Sequence, residues 1–382
     1  MISVVLGILV GILAGLVPGI HTNLIAVLVA SLQVDVQAAC TFLVAVAIAR
    51  SVIDAVPTVF LGAADSDVMA LLPGHKLLKK GFGVEAVKFF VMGSVLGLVG
   101  CIALIPLLLI AFPLLFELLR PWLFWLLLTA VLILFWREGK WLAPLVFALA
   151  GVLGLIALDS IKEPLFPLLS GLFGVSGLVL SLAERTDIPV QYDADVLSLR
   201  KVPLAISIAT GVLAGSLVTL FPGMGPSQAA ALAQAKRMRS VRFLILVGAM
   251  GTVDVLISLV TFFTLGKARN GAVVIMEQLV GQISAQTLFS FVAIACVAGG
   301  VAALAAIGVS LWYARLVEEI DYAWISLGVI VLLAIMSVIL SGWLGLLLLV
   351  TAAAVGMLAP LLNVSRSHAM GCLLLPTLLF LW

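Results

Sequence analysis

One short stretch, used twice, constrains this chain more than any other feature. It is an apolar run broken by a Pro-Gly pair and resumed through small polar residues. The first copy reads Gly11-Ile-Leu-Ala-Gly15-Leu-Val-Pro18-Gly19-Ile-His21-Thr22-Asn23. The second reads Gly211-Val-Leu-Ala-Gly215-Ser-Leu-Val-Thr-Leu-Phe-Pro222-Gly223-Met-Gly225-Pro226-Ser227-Gln228. Proline has no N–H and disfavours helical geometry in the residue before it, while glycine admits positive φ, so the pair stops one helix and lets another begin. At membrane depth the freed backbone groups are tolerated only where protein, water or a ligand satisfies them. The second half-helix also points the positive end of its dipole at whatever sits in the break. One such break could serve packing alone, since Gly and Pro are common in membrane helices. Two, in corresponding places, point to a transport site.

The rest of the chain supplies the membrane. Of 382 residues, 64% are hydrophobic and 10% charged, and the mean hydropathy is +1.35. A span needs ~20 apolar residues, so about ten to twelve spans fit and no nucleic-acid or soluble catalytic module does. The four cysteines, Cys40, Cys101, Cys296 and Cys372, lie far apart in apolar runs and read as core packing rather than disulfide or metal ligands. Met1 to Val17 has no charged leading region, which argues against a cleaved signal peptide.

A plan repeats along the chain. A broken hairpin over 2–33 is followed by an apolar segment over 36–61, a basic stretch (His75, Lys76, Lys79, Lys80, Lys88) and expected spans at 88–115, 121–136, 142–158 and 165–183. A polar segment over 184–202 reads as the cytoplasmic linker between halves. A second hairpin over 204–234 precedes Lys236, Arg237, Arg239 and Arg242 and expected spans at 242–265, 285–312, 323–341, 343–360 and 369–382. Gly11 aligns on Gly211 and Asp54 on Asp254, both 200 residues apart (211 − 11 and 254 − 54).

The expected fold is therefore an all-α polytopic membrane protein of two repeats, 1–183 and 203–382. Each repeat is a re-entrant Pro-Gly-broken hairpin plus about five transmembrane helices. An odd number of spans inverts the second repeat relative to the first. With 75–88 in the cytoplasm, 137–140, 184–202, 236–242, 315–321 and Arg366 fall on the same side. The loops near 117–120, 159–163 and 267–284 fall on the other, where Lys267 and Arg269 are discordant with the positive-inside rule.

Arg50 and Asp54 are the sharpest individual signal, four residues apart and deep in an apolar segment where an unpaired ion is expensive. Arg50 suits a carboxylate or phosphate, and Asp54 suits coupling to Na⁺ or H⁺; the plain alternative is a salt bridge that fixes packing. Pro57 makes an irregular backbone near Asp54 plausible on steric grounds. Asp254 has Met250 where Asp54 has Arg50, and a lone membrane Asp again points to coupling. Pro18, Gly19, His21, Thr22 and Asn23, with Pro222, Gly223, Gly225, Pro226, Ser227 and Gln228, form the expected substrate-binding breaks. Their simpler role is helix capping. No nucleophile-and-base grouping, zinc spacing or phosphate loop is present. Trp122, Trp125, Trp136 and Trp141 sit near expected span ends, as interfacial tryptophans do.

Several pieces together resemble the TctA-type large permease subunit of tripartite tricarboxylate transporters. They are the Gly-x-x-x-Gly before Pro18-Gly19, then Leu71-Leu-Pro-Gly-His-Lys-Leu-Leu-Lys-Lys-Gly81 with Glu85-Ala86, Ser170-Gly-Leu-Phe-Gly174, and Phe221-Pro-Gly-Met-Gly-Pro226. The resemblance implies an ion-driven carboxylate transporter of the inner membrane, with a small membrane subunit and an extracytoplasmic binding protein as partners. The chain departs from the pattern in its shorter length, in Pro73-Gly74 and in Gly62-Ala-Ala-Asp-Ser66, and so looks like a compact branch of archaeal type.

Two readings from different substrate classes follow. In the first, a cation-coupled symporter with no resident cofactor holds a small tricarboxylate or dicarboxylate between the breaks. In the second, the hairpins hold the phosphate head group of a polyprenyl-phosphate lipid, as in a flippase. A membrane enzyme would need acids, bases or metal ligands gathered at one face, which this sequence does not supply. A homodimer is common for transporters with such repeats.

Overall fold

In the computed structural model, residues 1–17, 22–32, 34–60, 74, 76–183, 189–192, 201–219, 230, 240–319 and 322–382 are described. They form helices joined by short connections, with no strand among the described residues. That follows from the composition: in hydrocarbon a backbone must satisfy its own hydrogen bonds, and a helix does so within one segment. The elements are α1 (Ile2–Leu16), α2 (Thr22–Ser31), α3 (Val36–Ile53), α4 (Ala55–Phe60), α5 (Gly83–Leu119), α6 (Leu123–Glu138), α7 (Leu142–Ser160), α8 (Leu165–Leu169) and α9 (Ser176–Ala183) in the first half. The second half has α10 (Lys201–Val218), α11 (Ser240–Leu265), α12 (Gly271–Val280), α13 (Ala285–Glu319), α14 (Tyr322–Leu361) and α15 (Gly371–Leu381).

Among the described residues seven helical stretches are long and apolar enough to cross a membrane. Two of them each hold a pair of expected spans. Gly83–Glu138 carries α5 and α6 joined through a 3₁₀ turn at Arg120–Trp122, and α14 bends at Gly342, whose φ of 69° and ψ of −163° only glycine adopts readily. The outer surface is what lipid would touch: Leu107, Leu304, Leu347 and Trp343 are all exposed. A soluble monomer rarely leaves so much apolar surface uncovered. The helix expected at 165–183 is continuous and carries a buried π-helical turn at residues 170–175, between α8 and α9. The stretch expected as a connector near 267–284 contains α12. Cys296 is exposed on α13 and so is not core packing, unlike the buried Cys40, Cys101 and Cys372.

Two helices make the centre. α3 and α11 are buried along most of their length, as a helix apolar on all sides must be when other protein surrounds it. α1 packs on α3 and α10 packs on α11 through the same small residues. A Cβ added at Gly11 would stand 2.8 Å from the carbonyl oxygen of Val46 and 2.9 Å from the Cβ of Ala49. A Cβ added at Gly211 would stand 2.8 Å from the carbonyl oxygen of Leu246 and 2.9 Å from the Cβ of Ala249. Every one of these partners is 200 residues from its counterpart.

The long helices then cross over. α5, from the first half, lies on α11, where Gly93 and Gly97 admit Ile245 and Ala249 and the Thr252 hydroxyl donates to the Ser94 carbonyl at 2.8 Å. α13, from the second half, lies on α3 and places Gly299 beside Ile48. The same exchange occurs at the periphery, with α15 on α7 and the π-helical turn on α14.

Contacts between connectors group the helix ends. Gln191 accepts from the Gly83 N–H at 2.9 Å and donates to the Leu78 carbonyl at 3.1 Å, while the Tyr192 N–H donates to the Gly81 carbonyl. Glu138 accepts from the Ser365 N–H and stands 3.6 Å from His368, and the Lys140 ammonium donates to the Asn363 carbonyl. Lys267 sits 5.4 Å from the centre of the Phe116 ring, and the Ser341 hydroxyl donates to the Glu163 carbonyl.

Candidate functional site

In the first half, the site is built where α1 ends against α3. Gly15, three residues before Pro18, packs on the backbone of Arg50 and the side chain of Ile53. α1 therefore ends beside the Arg50–Asp54 turn. Arg50 is 5% and Asp54 2% exposed, and both make interactions within the protein. α3 gives way to α4 at Asp54, whose own ladder bonds are kept: its N–H donates to the Arg50 carbonyl at 3.0 Å and its backbone carbonyl accepts from the Thr58 N–H at 3.1 Å, so the bond missing at this junction is the one to Ile53. Pro57 accounts for the missing bond, because it has no N–H to give the carbonyl of Ile53 one turn back.

In the second half, the equivalent turn is organised differently. α11 runs unbroken through Asp254, since Ile257 stands where the first half has Pro57. Asp254 accepts a hydrogen bond from the Asn270 amide at 2.9 Å. The Ser258 hydroxyl oxygen, one turn further on, accepts from the N–H groups of Arg269 and Asn270, both at 2.8 Å. Asn270 also caps α12 by accepting from the Ala272 N–H, and Glu277 accepts from the Ala268 N–H at 2.7 Å. The loop 266–270 is thus tied at both ends, and α12 is fixed against α2 and α3.

These packings bring α2 together with α3, α11 and α12. Of the expected binding residues, Thr22 is half-buried at the start of α2, and Asn23 lies in the same turn. Pro18, Gly19, His21, Pro222, Gly223, Gly225, Pro226, Ser227 and Gln228 lie outside the described residues. Sequence reasoning missed Asn270, Ser258 and Thr58. For Asn270 a signal was present: an amide residue directly before the apolar run 271–276 is a helix start. Among the described residues no three or more His, Cys, Asp or Glu side chains gather as they would around a metal ion.

The model of the tripartite tricarboxylate transporter TctA family matches residues 1–371, nearly the whole of this arrangement. The chain belongs to that family. An uncharacterized protein of Methanocaldococcus jannaschii is 25% identical over 361 residues, covering 89% of this chain and 87% of its own length. No solved structure matches the chain. This TctA family member is thus a multi-pass membrane protein of a tricarboxylate transporter family, and its buried Arg50 and Asp54 and its half-buried Asp254 sit on the two helices around which the rest is packed.

Proposed function

We propose that this TctA family protein is a secondary active transporter of a carboxylate anion, driven by a cation gradient and working from the cytoplasmic membrane. The observation that carries this reading is the family match over residues 1–371. The anion is held between the two Pro-Gly breaks. It takes two N–H-rich half-helix ends and the Arg50 guanidinium, which can meet a carboxylate through two hydrogen bonds at once. Asp54 and Asp254 are the acidic groups at membrane depth available for coupling to Na⁺ or H⁺.

The repeats are 1–183 and 203–382, related by inversion. Three observations support that relation: the matching register of α1 on α3 and α10 on α11, the exchange of α5 and α13, and the grouping of connectors. Residues 78–83 touch the linker, 138–140 touch 363–368, and 116 touches 267, the same pairs that fall on common sides under the positive-inside rule. The first hairpin re-enters rather than crosses, because α1 and α2, with 15 and 10 residues, extend only about 22 and 15 Å against ~30 Å of hydrocarbon. The family's description as tripartite supports a small membrane subunit and an extracytoplasmic binding protein as partners.

Thermal stabilisation of the purified protein tests the substrate without a transport assay. A ligand at 100 times its Kd adds about 2.7 kcal/mol. Citrate or a smaller dicarboxylate is expected to raise the melting midpoint, more so with Na⁺, and the rise is expected to vanish in Arg50→Ala. A rise with a short-chain polyprenyl phosphate alone would replace the carboxylate by a lipid phosphate.

A further inference from the structure

We infer that the coupling cation is Na⁺ and that it binds in the first half alone, at Asp54, the hydroxyl of Thr58 and the carbonyl freed by Pro57. The inference rests on the transporter reading above and divides a task that the two acids share there.

The observation that carries it is the Thr58 hydroxyl. Thr58 is 0% exposed, and its Oγ1 has no hydrogen-bond partner among the described residues. Buried serines and threonines in these helices ordinarily donate to a carbonyl one turn back, as Ser94 does to Phe90, Ser176 to Leu172 and Ser337 to Leu333. An orphaned buried hydroxyl is costly, and a native protein keeps one where something else is to fill the gap. The hydroxyls of Ser170, Ser216 and Ser326 are orphaned too, but only Thr58 stands one helical turn from a buried carboxylate.

The second half supplies the internal control. Ser258 occupies the position 200 residues after Thr58, and its oxygen is used by the N–H groups of Arg269 and Asn270. Asp254 likewise has the Asn270 amide. There the carboxylate and hydroxyl fasten a loop. In the first half the same pair keeps its hydroxyl oxygen available, at the junction of α3 and α4 where Pro57 withholds one ladder hydrogen bond.

The donor set fits one cation class. Carboxylate, hydroxyl and backbone carbonyl are hard oxygen ligands, and discontinuous helices commonly offer such carbonyls to Na⁺. One carboxylate suits a single positive charge, whereas a divalent ion would call for more acids than are gathered here. A proton would need the carboxylate but not the hydroxyl. Asp54 stands between Arg50, one turn before it, and Thr58, one turn after it. A cation on the Thr58 side and an anion on the Arg50 side would each ease the binding of the other.

The test is a Na⁺ titration of the melting midpoint of the purified full chain, at constant ionic strength against choline and without any carboxylate. Wild type is expected to be stabilised saturably by Na⁺. Thr58→Val, which keeps shape and removes the hydroxyl, is expected to melt at the same or a higher temperature without Na⁺, yet to need about tenfold or more Na⁺ for half-saturation. Thr58→Ser is expected to retain the wild-type response. Ser258→Ala is expected to melt lower at every Na⁺ concentration with an unchanged half-saturation. The inference is overturned if wild type ignores Na⁺, if Thr58→Val titrates like wild type, or if Ser258→Ala loses the response as well. Because no carboxylate is present, a failure of the substrate assignment leaves this result standing, and the reverse also holds.

Discussion

Gly11 and Gly211 are small because a backbone passes where a side chain would go. With an added Cβ 2.8 Å from a carbonyl oxygen at either site, Gly11→Ala and Gly211→Ala are each expected to cost about 1–3 kcal/mol through overpacking. Gly300 on α13 meets nothing within 4 Å, so Gly300→Ala is expected to stabilise by about 0.5–1 kcal/mol through lost backbone freedom in the unfolded chain. Reversible unfolding in mixed micelles reads all three, and equal costs at the two matched glycines are the critical outcome. The pairing of these glycines was legible in the sequence because both the Gly-x-x-x-Gly spacing and the Asp landmarks repeat after 200 residues. Thr58 was not legible. A single hydroxyl in an apolar helix carries no sequence signal, and its meaning depends on whether a neighbour takes its hydrogen bond.

At the scale of elements, the sequence marked spans better than it marked their ends and joints. Expected spans at 142–158 and 242–265 are close to α7 and α11 because long apolar runs leave little choice in hydrocarbon. α12 escaped notice because its 10 residues fall well below a spanning length and follow the charged pair Lys267 and Arg269. Its anchoring makes a prediction. Asn270→Ala removes both the helix cap and the partner of Asp254, so the loss is expected to exceed the ~1 kcal/mol of a cap alone. Hydrogen exchange is expected to rise first across 266–276. The π-helical turn at 170–175 lies in the stretch Ser170-Gly-Leu-Phe-Gly174 that the family resemblance singled out, but nothing in that composition distinguishes it from ordinary helix. Gly342 supplies a sharper joint. Gly342→Ala forces a side chain into a backbone region open almost only to glycine, at about 1–3 kcal/mol, read by the same unfolding measurement.

Across the whole molecule, connector contacts predict which residues a membrane-impermeant thiol reagent labels together. Single cysteines at Lys79 and Lys140 are expected to react from one face, and those at Glu117 and Trp343 from the other. A cysteine at Lys267 labelled from the same face as one at Lys79 would break the inverted arrangement. The crossing of α5 onto α11 and of α13 onto α3 has a further consequence for assembly. Neither half encloses its own central helix, so either one made alone would present to lipid a glycine-lined seam cut to receive a protein backbone. Two separately synthesised halves would have to find each other within the bilayer before either could settle. The connection that docks through Gln191 turns that search between strangers into a closure within one chain, at a high effective concentration and a fixed one-to-one stoichiometry.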